Sequence, residues 1–188
     1  MHRIKRLMFG LSIAVAATAA VPAGALAGPG DADVTGTITG GSLTLTTSAT
    51  PSFSATLNGT DQTKTYTIPS VLSDETGSGA GWHTTVTSTQ YTTGGGTPRT
   101  LDTGASTLTS LTNTCQTGTC TAESNTVPLP VAVPAGTVAP TAVAYHNAAV
   151  DTGAGDFAHT PTIAVDLPAN TFAGSYTSTV TLAAVSGP

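Results

Sequence analysis

Only 8% of the 188 residues are charged, with 5 Lys+Arg against 10 Asp+Glu, where soluble domains carry roughly 25%. Arg3, Lys5 and Arg6 sit at the very start, so the rest of the chain sets Lys64 and Arg99 against ten acids, 2 − 10 = −8. Two cations cannot build the basic patch that nucleic acid or an anionic membrane surface requires, and both are excluded as partners.

The first 27 residues read as a secretory signal peptide. Arg3, Lys5 and Arg6 supply the positive start, Leu7 to Val21 is apolar, and Ala25-Leu26-Ala27 offers the small residues a signal peptidase reads. The apolar run is short for a bilayer span and ends at Pro22. Cleavage is expected after Ala27, leaving residues 28–188 as one extracellular domain with no membrane anchor.

Thr makes up nearly a quarter of that remainder, with Ala, Gly and Ser behind it. β-Branched Thr and flexible Gly favour strands and turns over helices. Alternation predicts strands over Val34–Ile38 and Leu43–Leu45, with Gly40-Gly41 between them. Phe53–Leu57 follows, then the hairpin signal Asn58-Gly59 and a strand over Thr63–Ile68 that ends at Pro69. Trp82–Thr89 and Thr107–Asn113 come next, the latter leading to Cys115 and Cys120, the only cysteines. An even count in an exported chain predicts a disulfide, here closing one hairpin tip. Val127–Val133 contains Pro128 and Pro130, which demote it to an edge or crossing. Thr141–Tyr145, Thr160–Leu167 and Tyr176–Val185 complete the set. About ten short, mainly antiparallel strands with no helical period predict a single all-β sandwich over residues 28–188.

Four stretches together resemble the WxL domain, a cell-surface module of Gram-positive bacteria. They are Gly40-Gly-Ser-Leu-Thr-Leu45, Val71-Leu-Ser-Asp-Glu-Thr-Gly-Ser-Gly-Ala-Gly-Trp82, the run Tyr145-His-Asn-Ala-Ala-Val-Asp-Thr-Gly-Ala-Gly-Asp-Phe157, and Leu167 to Leu182 with its Pro and Gly-x-Tyr. The Trp-x-Leu position falls at Trp82-His83-Thr84, with Thr in place of Leu, and the second such position at Leu182-Ala183-Ala184. The chain is thus similar to a divergent member. The resemblance implies non-covalent binding to cell-wall peptidoglycan, with other surface proteins as further partners and no cofactor.

Trp82, Tyr91 and Tyr145 are the candidate binding residues, because an aromatic face stacks on a sugar ring. Trp82 has a second reading as core, since alternation groups it with Thr84, Val86 and Ser88. Tyr66, Tyr91 and Tyr145 are expected as the more exposed rings, whereas Tyr176 is expected inward with its hydroxyl on backbone. Asp102-Thr-Gly and Asp151-Thr-Gly superficially resemble a peptidase pair. They lie only 49 positions apart in a Thr- and Gly-rich chain, and no catalytic role is assigned. Asp151 and Asp156 flank a glycine-rich turn in which they either share Ca²⁺ or are simply solvated; no metal is assigned. His83, His146 and His159 lack ligand spacing. The expected function is that of a secreted, non-catalytic wall-associated surface protein. The alternative is a structural subunit of a surface fibre or coat, in which Val34–Ile38 is donated to a neighbour's sheet edge.

Overall fold

The computed structural model describes residues 33–188, so the expected leader and its cleavage site lie outside the described residues. Residues Ile38–Pro188 form one unit. Its strands are β1 (Leu43–Thr47), β2 (Gln62–Thr67), β3 (Ser70–Asp74), β4 (Trp82–Thr89), β5 (Ser106–Thr117), β6 (Val131–Ala132), β7 (Ala135–Gly136), β8 (Val143–Ala148), β9 (Gly155–Leu167) and β10 (Val180–Ser186). The described residues contain no helix. Two sheets make the sandwich: β1-β3-β9-β5-β6 with β2 also on β9, and β10-β4-β7 with β8 also on β4.

The long strand β9 is the spine of the larger sheet. Its inward residues Phe157, His159, Pro161, Ile163 and Val165 are buried, as period two requires. β2 and β3 lie along one side of it in a single register, with Thr67 opposite Thr162 and Ser70 opposite His159. Between them Ile68 donates its N–H to Pro161 O at 3.0 Å. Pro69 interrupts the ladder because it has no N–H, yet the chain resumes pairing at once. The expectation stopped at Pro69 and assigned no strand to Ser70–Asp74; buried Leu72 is what holds that segment down.

Two expected strands are absent. Val34–Ile38 is in no strand, and Val34 and Ile38 are exposed. Phe53–Leu57 is also unpaired. Continued in register, β1 would carry this segment along the outer edge of β2. Instead the Thr47 hydroxyl donates to Pro69 O at 3.0 Å and accepts from Ala49 N–H at 3.3 Å, closing the ladder, and Pro51 follows without a donor. Phe53 then turns inward, stacked on Tyr66 with centroids 6.1 Å apart and edge-on to Tyr91 at 5.8 Å. Burial of an aromatic ring outweighs a few edge hydrogen bonds that water can replace. The Asn58-Gly59 turn does form, with Asn58 Oδ1 accepting from Thr60 N–H at 3.1 Å, but it joins no hairpin.

The core has two parts. One gathers Tyr66, Ile68, Val86, Tyr91, Leu108 and Ile163 among others. The other centres on Leu72, Trp82, Ala148 and Phe157.

Candidate functional site

On β4 the alternation holds: Trp82, Thr84, Val86 and Ser88 are all buried. The Trp82 indole donates Nε1–H to Gly153 O at 2.8 Å, so its one polar atom is satisfied inside. Gly153 has φ 75°, and a Cβ there would lie 2.4 Å from the Ala148 methyl and 2.7 Å from the indole nitrogen. Only glycine allows the turn to reach the ring.

A bulge decides what surrounds the indole. Thr84 pairs with His146 but Thr85 with Ala144, so Tyr145 is an extra residue in β8. Tyr145 and His146, neighbours in sequence, are consequently both buried. The Tyr145 hydroxyl lies 2.8 Å from His159 Nε2, and His159 Nδ1 lies 2.9 Å from Asn113 Oδ1. Asn113 Nδ2 donates to Glu123 Oε1 at 3.0 Å. A carboxylate only accepts, which fixes the amide and therefore the tautomer. His159 carries its proton on Nδ1, donates it to Asn113, and accepts from Tyr145 at Nε2. Burial, with a smaller push from nearby His146, lowers the His159 pKa to about 3. His146 is also lowered by burial, against an opposing pull from Glu123, whose carboxylate is 3.7 Å from Nε2. Among the described residues His146 Nε2 has no hydrogen-bond partner.

The expected aromatic platform is therefore corrected. Trp82 and Tyr145 are fully buried and Tyr91 nearly so, as is Tyr66. Trp82 and Tyr145 offer no ring face to a polymer, because both are spent on the interior. Tyr91 donates its hydroxyl to Tyr66 at 3.2 Å, and burial raises the pKa of both phenols. Tyr176 is half-buried and donates its hydroxyl to Phe172 O at 3.0 Å, as expected of it.

The remaining polar candidates stand apart. Asp102 is exposed and accepts from Gly104 N–H at 2.7 Å, while exposed Asp151 lies against Gly79. Asp156 accepts from the Ser73 hydroxyl and from that of Thr117 at 2.9 Å. These two hydrogen bonds, Ser73 first, hold its carboxyl below the usual range. Asp151 and Asp156 are thus engaged by different partners. Among the described residues no group of three or more His, Cys, Asp or Glu side chains is placed to hold a metal. The disulfide Cys115–Cys120 turns the chain at the end of β5. The return beside Ala154 is a loop rather than a strand: Thr121 N–H donates to Ala154 O at 2.8 Å. Cys120 packs on Gly155, where an added Cβ would lie 3.0 Å from its sulfur.

Sequence reasoning missed the outward face of the larger sheet. Thr44 and Thr46 on β1, Thr63, Thr65 and Thr67 on β2, and Thr112 and Thr114 on β5 are exposed there. Thr67, Thr162 and Ser110 face one another across three strands, and Thr112 faces Thr160. Sheet geometry spaces these hydroxyls at about 4.8 Å between strands and about 6.8 Å along them. Its two carboxylates, Asp156 and Asp166, accept hydroxyls from the sheet itself, Asp166 from Thr63 at 2.7 Å. The available signal was the run Thr63-x-Thr65-x-Thr67, repeated in spirit through β5.

An open groove of about 950 Å³ lies on one side of the sandwich, bordered by Thr47–Leu57 and Thr171–Val180. Its floor is Tyr66, Tyr91, Ile68 and Leu167, and no charged residue lines it. Exposed Phe172 stands at its rim, with the Arg99 guanidinium carbon 3.9 Å from the ring centroid.

Fold and surface define the class: an all-β sandwich with an ion-poor hydroxyl face on one sheet and an open side. No protein family, curated protein or solved structure matches the chain.

Proposed function

We propose that this chain is a secreted, non-catalytic surface protein that associates non-covalently with the bacterial cell wall, with peptidoglycan as the polymer. The resemblance to the WxL domain suggests the setting, and the threonine face of the larger sheet carries the argument. A flat array of hydroxyls held by paired backbones presents donors and acceptors at fixed spacing with little entropy left to lose. Repeating sugar hydroxyls and amides are its natural complement. Charge takes no part, since the chain and many wall polymers are both anionic.

The protein should pellet with purified sacculi, and moderate salt should leave the bound fraction unchanged. Thr67→Lys, in one row with Thr162 and Ser110, should weaken binding about tenfold, a loss of roughly 1.4 kcal/mol. Thr181→Lys, exposed on the other sheet, should not. Protein that stays in the supernatant at every salt concentration would refute the reading.

A further inference from the structure

The open side of the sandwich lacks a strand, and the chain carries an unused one. Thr89 donates its N–H to Thr179 O at 2.9 Å, and Thr92 and Thr177 exchange both bonds at 3.1 and 3.0 Å. Antiparallel ladders alternate, so Ser178, Val180 and Leu182 turn their N–H and C=O groups away from β4. β10 pairs with β4 alone, and these groups meet no backbone partner among the described residues; β1 lies alongside β10, so the edge is open over Tyr176–Val180, where the groove runs. The side chains of Tyr176, Ser178, Val180 and Leu182 are half-buried toward the interior, and the first three line the groove. A strand laid on this edge would cover Tyr66 and Leu167.

Val34-Thr-Gly-Thr-Ile38 fits that place. It has no charge, alternates apolar and polar residues, and belongs to no strand; Val34 is 92% exposed and Ile38 99%. Five extended residues span about 17 Å, the length of Tyr176–Val180. Laid on the edge, Val34 and Ile38 share the inward face with Gly36, which leaves room for the Phe53 ring. A solvent-exposed pair of this kind beside an open edge is a template for strand addition.

We infer that the groove accepts Val34–Ile38 from a second copy of this chain, which adds as a strand to the free edge of Tyr176–Val180, the run that leads into β10. Its own segment cannot serve. Gly41 donates its N–H to Glu75 O at 2.7 Å and so is held at the start of the β1–β3 ladder. The groove begins at the other end of that ladder, at Thr47, about 20 Å away along the strand. Ile38, three residues from Gly41, reaches about 10 Å. Donor and acceptor are different surfaces of one copy, so the contact repeats head to tail into a chain of subunits.

The test is light scattering on the secreted protein from micromolar to millimolar, with hydrogen exchange read over Val34–Ile38. Wild type should grow with concentration, and its Val34–Ile38 amides should become protected by about 100-fold or more as it grows. A Val34→Asp, Ile38→Asp double variant alters only exposed side chains and should remain a monomer with an unchanged melting temperature. An Ile38→Cys, Ser178→Cys variant should cross-link between copies. A wild type that stays monomeric over the whole range overturns the inference, as do oligomers that the double variant forms equally well. Wall pelleting plays no part in these readouts, so failure here leaves the wall reading where it stands.

Discussion

The two aromatic centres of this sandwich are built from similar residues and finished differently. Around Trp82 every element closes in. A glycine turn seats on the indole, a bulge brings Tyr145 and His146 inward together, and Asn113 and Glu123 complete a hydrogen-bonded path between sheets. Around Tyr66 and Tyr91 the cover is one loop, Thr47–Leu57, whose Phe53 plugs the gap while an open groove remains beside it. The difference teaches that closure depends less on how apolar a cluster is than on whether the neighbouring backbone finds ladder partners. Where Pro51 and the Thr47 hydroxyl end the ladder, the core stays reachable.

Substitutions at the two centres should sharpen that contrast. The largest effect is expected for Trp82→Ala, which empties a sealed site and orphans Gly153 O, costing about 4 kcal/mol in urea unfolding. Gly153→Ala should approach it through steric conflict with the same ring. A loss below 1 kcal/mol for Trp82→Ala would contradict the sealed description.

Acid should act next, and first on the closed centre. His159 titrates at about 3 when folded and near 6.5 when unfolded. Between those values the unfolded chain binds more protons, so stability rises with pH there. It is complete above about 6.5 and falls as the pH drops, by up to about 1.4 kcal/mol per pH unit from this ring. His146, lowered by burial, adds in the same direction. Urea midpoints at pH 7 and pH 5 measure the slope, and His159→Gln should flatten it. Asp156, also lowered, loses its contribution only at more acidic pH.

Removing the disulfide by Cys115→Ser with Cys120→Ser should cost about 2 kcal/mol, the loop-closure entropy of a small ring. Phe53→Ala on the open side should cost least, about 1–2 kcal/mol, because the half-buried ring already meets solvent. It should also raise binding of an apolar dye, whereas an equal response from Trp82→Ala would erase the distinction between the two centres.

Much of this was readable without coordinates. Most of the alternating strands, the inward row from Trp82 to Ser88, the cysteine pair and the Tyr176 hydroxyl on backbone all follow from period two and residue chemistry. The site was less legible. Tyr91 read as a surface ring because a glycine run follows it, and Tyr145 as one at the end of an expected strand, yet a distant loop and a bulge bury them. Val34–Ile38 and Phe53–Leu57 alternate as well as any true strand here, and neither found a partner.

Thr-rich alternation with almost no charge determined by itself that this chain makes sheets and that its surface presents hydroxyls rather than ions. Which alternating runs pair, which aromatics vanish inside, and which edge is left open were decided only by tertiary structure. Local alternation sets the faces of a strand, but its partner is chosen by competition among distant segments for the same hydrogen bonds and the same buried space.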